Sequence, residues 1–171
     1  MNPAQHTETR FKRILFCTDF SESADAAFDF AIDATIRRPG STLYLLHVMH
    51  EADAQFWRSY LAEVDDVEEQ SRLAITEKIR TAYLSRLPAG LEVKIEVRDG
   101  PDAPTILEFA ASNSIDLIII GRHGHGGVSK ALFGGVAEKI VRKADCAVLV
   151  IPLSYAQKES AASSGAQSVE T

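Results

Sequence analysis

The chain has few cysteines, no excess of basic residues and no long apolar run. Two cysteines, Cys17 and Cys146, are too few for a disulfide scaffold or the usual four-ligand zinc sites. Lys and Arg number 18 against 24 Asp and Glu, and the net charge of −6 argues against bulk affinity for nucleic acid or anionic membranes. No segment approaches the ~18 to 20 apolar residues of a membrane span, and the first ten residues are polar. These absences predict a cytoplasmic protein that binds neither nucleic acid nor membrane.

Strand and helix patterns alternate along the 171 residues. Apolar runs predict strands at 13–18, 42–49, 91–97, 116–120 and 147–151, and helical periodicity predicts helices at 21–37, 61–87, 105–111 and 136–143. Ser21 is the predicted cap of the first helix. Residues 91–97 alternate apolar with charged side chains, which indicates an edge strand. Five strands and four helices predict an α/β fold, a doubly wound, Rossmann-like parallel sheet with helices on both faces.

The termini differ in composition from the region between them. We expect one domain at residues 11–153, because its apolar content suffices for a single core. Residues 154–171 are poor in apolar side chains and are predicted to be a flexible tail, and residues 1–10 a flexible N-terminus.

Six of the ten glycines lie between Gly121 and Gly135. This segment follows an apolar run that ends at Ile120 and precedes a predicted helix. A glycine-rich connection in that position presents backbone N–H groups and the positive end of a helix dipole to an anion, usually a phosphate. The spacing fits neither the Walker pattern nor a dinucleotide-binding fingerprint, so the segment predicts a phosphate site of another kind.

The glycines do fit the pattern Gly-x2-Gly-x9-Gly, at Gly121, Gly124 and Gly134. With this pattern, and with residues 14–21, 45–48, 100 and 147–152, the chain resembles the universal stress protein family, in the subclass that carries an ATP-binding loop. The resemblance implies the strand order 3-2-1-4-5. In that order the direction of winding reverses between the first and fourth strands, where ligands of open α/β sheets bind.

The resemblance also implies a nucleotide site. Its residues are Thr18, Asp19, Val48, Gly121, His123, Gly124, Gly127, Gly134, Gly135 and Val136. Asp19 is expected to accept hydrogen bonds from a ribose hydroxyl or the adenine amine, although capping of the first helix explains the same residue. The backbone at Val48 would contact adenine, and the loop residues would hold phosphate through N–H donors.

Gly135 departs from the family pattern, which has Ser or Thr after the third glycine. The loop therefore loses a hydroxyl contact to a terminal phosphate but keeps the backbone N–H. A hydrogen bond to a charged group contributes about 1.5 to 3 kcal/mol, so ATP binding would weaken by about one to two decades.

The leading functional prediction is a regulatory stress-response protein that binds ATP or another adenine nucleotide, with or without Mg²⁺. Two alternatives remain open: a slow Mg-dependent ATP hydrolase, and a dimeric interaction module that binds no nucleotide. The sequence indicates no catalytic residue and no dedicated metal site. It favours a homodimer formed through the last strand, and a protein partner whose identity the sequence does not specify.

Overall fold

The computed structural model of the chain describes residues 11–49, 67–123 and 134–155. The strands are β1 (Arg13–Cys17), β2 (Thr42–Met49), β3 (Glu92–Asp99), β4 (Leu117–Gly121) and β5 (Ala147–Ile151). The helices are α1 (Glu22–Ile36), α2 (Val67–Ala82), α3 (Asp102–Ser112) and α4 (Gly135–Lys143), and a short 3-10 helix at Leu84–Arg86 follows α2.

The five strands form one parallel sheet in the order β3-β2-β1-β4-β5, which confirms the predicted fold class and strand order. β1 is central and pairs with β2 on one side and β4 on the other. The order therefore reverses between β1 and β4, as expected. β3 lies at one edge, and its Val93, Ile95 and Val97 pack on the core, which fits their predicted alternation.

Helices cover both faces of the sheet. On one face, Phe28 of α1 and Ile79 of α2 pack with Phe16 of β1. On the other face, Ile106 of α3 and Ile140 of α4 pack in a second apolar cluster. Burial of these apolar stripes is the main force that holds each helix on the sheet. Within the described part of the chain, no helix has the length and apolar character needed to cross a membrane.

Two predicted helices differ in extent from the observed ones. The prediction of one helix over 61–87 is wrong at its carboxyl end, because the α-helix ends at Ala82 and a 3-10 helix follows; residues 61–66 lie outside the described residues. The third helix begins at Asp102 rather than at residue 105. Pro104 falls in its first turn, where a missing N–H costs no intrahelical hydrogen bond. Proline was therefore a poor marker of this boundary.

Candidate functional site

The carboxyl ends of β1, β2 and β4 lie side by side. Cys17 pairs with Leu46 on β2 and with Ile120 on β4. The next residue, Thr18, continues the ladder by donating its N–H to the Leu46 carbonyl at 3.0 Å. The turn that starts at Thr18 therefore lies between the end of β2 and the residues that follow β4, as the switch-point argument predicted.

Thr18 is buried, with 5% of its surface exposed. Its Oγ1 lies 2.6 Å from the Tyr83 hydroxyl oxygen and accepts the Phe20 N–H at 2.9 Å. Its carbonyl oxygen lies 2.8 Å from Nδ1 of His47. These bonds make Thr18 the residue that fixes the turn, with its side chain directed at Tyr83.

Asp19 and Ser21 connect this turn to α1. Asp19 Oδ1 accepts the Ser21 N–H at 3.0 Å, and Ser21 Oγ accepts the Ala24 N–H at 3.2 Å. Ser21 is therefore the helix cap, as predicted, and Asp19 contributes a turn bond just before it. Capping of α1, the structural role weighed for Asp19, is therefore carried out by Ser21, and Asp19 stabilises the turn before the cap.

Phe20 adopts a left-handed backbone conformation, with φ of 61°, which is uncommon for a bulky residue. Its ring centroid lies 4.8 Å from that of His47 and 6.1 Å from that of Tyr83, and Lys78 Nζ lies 4.1 Å from it. Burial lowers the pKa of His47 and outweighs the opposing effect of its hydrogen bond to Thr18. The imidazole is therefore neutral at pH 7. No feature of the sequence singled out Phe20, Lys78 or Tyr83 as part of the site.

Val48 occupies the other face of the sheet, where it is half-buried against the α3 and α4 cluster. It lies two residues beyond Leu46, the β2 partner of Cys17, so β2 extends past the last residue of β1. Val48 in β2 and Asp19 in the turn after β1 therefore both lie at the carboxyl ends of neighbouring strands.

Gly121 ends β4 and makes a close packing contact. A Cβ atom at this position would lie 2.6 Å from the carbonyl carbon and the carbonyl oxygen of Ser23 in α1. Glycine is required here because α1 approaches β4 closely. Gly121 was expected in the nucleotide site, and this contact with α1 supplies a reason for the glycine within the protein itself.

Backbone hydrogen bonds tie down both ends of the glycine-rich segment. Arg122 N–H donates to the Ile151 carbonyl at 2.8 Å, and Gly134 N–H donates to the Arg122 carbonyl at 2.8 Å. The N–H of His123 reaches Ser23 Oγ at 3.4 Å. Gly134 was predicted to donate its N–H to phosphate. In the structure that N–H is bonded to the Arg122 carbonyl instead.

The first turn of α4 follows directly. Gly134 is its N-cap and, among the described residues, no side chain caps it. Gly135 is exposed, and a Cβ added there would meet no described heavy atom within 4 Å, whereas Val136 is half-buried in the cluster below α4. The N–H groups of a first helical turn have no intrahelical partners and attract anions. Gly124 and Gly127 lie outside the described residues.

The side chains of Arg122 and His123 also interact. Arg122 Nε donates to His123 Nε2 at 3.0 Å, which makes Nε2 the acceptor nitrogen of that ring. Both side chains are half-buried. The positively charged side chain of Arg122 therefore lies at the start of the glycine-rich segment, next to His123, which was predicted to belong to the nucleotide site.

The fold is thus a doubly wound parallel α/β sheet, and the connections after β1 and β4 lie where its strand order reverses. The model of the universal stress protein family matches residues 10–152. The chain therefore belongs to the universal stress protein family, as its motifs had indicated.

Curated relatives carry the same family name. Universal stress protein MJ0531 of Methanocaldococcus jannaschii is 28% identical over 149 residues, which cover 84% of each chain. A putative universal stress protein of Staphylococcus haemolyticus, SH1215, is 31% identical over 146 residues, covering 82% of this chain and 84% of its own.

Solved structures show the same architecture. The structure of MJ0577 has a TM-score of 0.67 at 26% identity and covers 84% of this chain and 97% of its own. The universal stress protein UspA of Lactobacillus plantarum has a TM-score of 0.65 at 26% identity, with 84% and 99% covered. A universal stress protein in complex with cAMP shares the fold at 18% identity, with a TM-score of 0.59 and 85% and 99% covered.

Proposed function

We propose that this chain is a regulatory protein of the stress response that binds an adenine nucleotide beyond the carboxyl ends of β1 and β4, in the cytoplasm. The observation that carries the proposal is the junction of two distant segments. His123 N–H reaches Ser23 Oγ at 3.4 Å, and Gly134 N–H closes on the Arg122 carbonyl at 2.8 Å. Both ends of the glycine-rich segment are thereby held beside the turn that carries Asp19.

In this proposal the two segments bind different parts of the nucleotide. Asp19 and the backbone at Val48 bind the adenosine end. The N–H groups of Gly135 and Val136 bind the phosphates, with the positive end of the α4 dipole favouring negative charge. Mg²⁺ would arrive with the nucleotide and offset part of the phosphate charge. Membership of the family supports the assignment, and the cAMP complex shows that a protein of this fold holds an adenine nucleotide.

The direct experiment measures nucleotide on the purified protein. Protein from fresh cells is denatured and the supernatant is analysed for AMP, ADP and ATP; apoprotein is then titrated with each, with and without Mg²⁺. We expect binding of at least one, and Asp19→Ala should weaken all three by the same factor. An absence of binding to the folded apoprotein would contradict the proposal. A phosphate-release assay beside it tests the ATP hydrolase alternative.

A second candidate function, an interaction module that binds no nucleotide, is favoured by Gly135. The missing hydroxyl removes one phosphate contact. This candidate and the first share one expectation, a homodimer through β5. β5 is a sheet edge, Leu149 is 39% exposed on it and Val141 of α4 is 49% exposed. Exposed apolar edges attract a second chain unless they are covered.

The dimer is tested by placing a charge in the proposed seam. Leu149→Lys should shift the protein to monomer in light scattering, because an isologous interface would bury two opposed lysines. Leu73→Lys is the matched control, since Leu73 is 62% exposed on α2, away from β5. If the Leu149→Lys protein remains dimeric, the dimer interface does not lie at β5.

A further inference from the structure

Tyr83 follows the last residue of α2 and reaches the turn after β1 from the face that α1 and α2 cover. It is 1% exposed, and its ring packs against Phe16 and Phe28 at centroid distances of 5.3 and 4.6 Å. Its hydroxyl group does more than fill the core, because the oxygen lies 2.6 Å from Thr18 Oγ1. Burial raises the pKa of Tyr83, so the hydroxyl is protonated at neutral pH.

From Thr18 the chain of hydrogen bonds continues to Phe20. Thr18 Oγ1 also accepts the Phe20 N–H at 2.9 Å, so Tyr83, Thr18 and Phe20 are joined in series. Asp19 lies between the last two in sequence. Its orientation therefore depends on how Thr18 and Phe20 are held.

Phe20 needs to be held, because its φ of 61° is unfavourable for a residue with a side chain. Contacts from the region of α2 oppose that cost. Lys78 Nζ lies 4.1 Å from the centre of the Phe20 ring, and the Tyr83 ring is nearly parallel to it, at 15°. The end of α2 thus supports the turn through both a cation and an aromatic ring, in addition to the hydroxyl group.

We infer that Tyr83 is a positioning residue of the nucleotide site, whose hydroxyl group acts through Thr18 and Phe20 to orient Asp19. The inference rests on the proposed function, since Asp19 is the residue that would contact the adenosine end. A role confined to the stability of the core would leave AMP affinity unchanged or raise exchange over the whole sheet, whereas a positioning role changes exchange at Phe20 together with AMP affinity.

The test is Tyr83→Phe, which keeps the ring and removes the oxygen. Tyr44→Phe is the matched control, because Tyr44 is also buried, at 8% exposed, but packs against Phe109 on the opposite face. In nucleotide-free protein, amide hydrogen exchange at Phe20 should be about tenfold faster in Tyr83→Phe, the effect of weakening one hydrogen bond. Exchange in β4 should not change, and Tyr44→Phe should leave Phe20 as in the wild type.

The second measurement is affinity for AMP, which should fall about tenfold in Tyr83→Phe and stay unchanged in Tyr44→Phe. Unchanged exchange at Phe20 would overturn the inference, and so would faster exchange spread evenly over the sheet. A local change in exchange with unchanged AMP affinity would also overturn it. If wild-type protein binds no adenine nucleotide, the proposed function fails, while exchange at Phe20 still decides whether Tyr83 positions the turn.

Discussion

The two halves of the candidate site are built in different ways. Side chains hold the turn after β1, where Thr18 Oγ1 and Asp19 Oδ1 each accept a backbone N–H. Backbone groups hold the segment after β4, where Arg122 bonds to Ile151 and to Gly134. The first half therefore depends on which side chains are present. The second depends on available space and on N–H groups, so substitutions of its glycines are its sharpest test.

Gly121→Ala should have the largest effect, on stability. The added methyl group would lie 2.6 Å from the Ser23 backbone, which cannot move without displacing α1, and we expect a loss of about 2 to 3 kcal/mol. Urea unfolding measures it.

Gly135→Ala is the matched control, since its methyl group, in the first turn of a helix, meets no heavy atom of the described residues within 4 Å. It should be neutral or stabilising by up to about 1 kcal/mol. If Gly121→Ala and Gly135→Ala lost the same free energy of unfolding, the two positions would not differ in the space available for a side chain.

Gly135→Pro should have the next largest effect, on binding. Proline suits the first position of a helix, and Gly134, at ψ of 153°, has the extended conformation that a residue before proline requires. The substitution thus deletes one N–H with little strain. ATP affinity should fall by about one to two decades, and AMP affinity by less, in calorimetric titrations.

The variant with alanine at the same position keeps the N–H and should bind ATP as the wild type does. If Gly135→Pro is folded and binds ATP normally, the phosphates do not bind at the start of α4.

Gly135→Ser should have a smaller effect in the opposite direction. It restores the hydroxyl group that the family pattern has here, and no atom of the described residues lies within 4 Å of the added Cβ. We expect up to about tenfold tighter binding of ATP, with little gain for AMP, whose phosphate is too short to reach it. Equal gains for the two nucleotides would mean that the hydroxyl group acts on the helix rather than on the phosphate.

The sequence predicted the two halves unequally. Local signals were sufficient for the turn after β1: Ser21 caps α1 as its position before an apolar-periodic segment indicated. They were insufficient for the residues that hold this turn. Tyr83 falls within the segment predicted as one helix, 61–87, and its hydroxyl partner Thr18 is 65 residues away in sequence, beyond the reach of any local signal.

The glycines show the same limit. The spacing from Gly121 to Gly134 identified the family, yet it assigned Gly134 to the ligand although its N–H is bonded to Arg122. The glycine spacing also did not indicate that Gly121 packs against the backbone of Ser23. Both facts depend on tertiary contacts, which a pattern within one segment does not contain.

The smallest expected effect is a pH dependence that belongs to the side-chain half. Burial lowers the pKa of His47, aided by Lys78, while the bond to Thr18 and the charges of Asp19 and Asp102 oppose the shift. Above the unfolded-state pKa of about 6.5 the ring is neutral in both states and contributes nothing. As the pH falls below that value, the unfolded chain takes up the proton first, so the folded state loses stability until the folded pKa is reached.

His47→Asn removes this titration and keeps a donor for the Thr18 carbonyl. Wild-type protein should therefore lose more stability than the variant in urea unfolding between pH 7 and pH 5.5, by at most about 1.4 kcal/mol per pH unit for one proton. The comparison uses the difference in slope, because asparagine in β2 also lowers stability by an amount that does not depend on pH. If the free energy of unfolding of the two proteins depends on pH in the same way, the pKa of His47 is the same in the folded and the unfolded state. A steeper wild-type curve would instead show that the folded protein disfavours the protonated form of His47, as its burial implies.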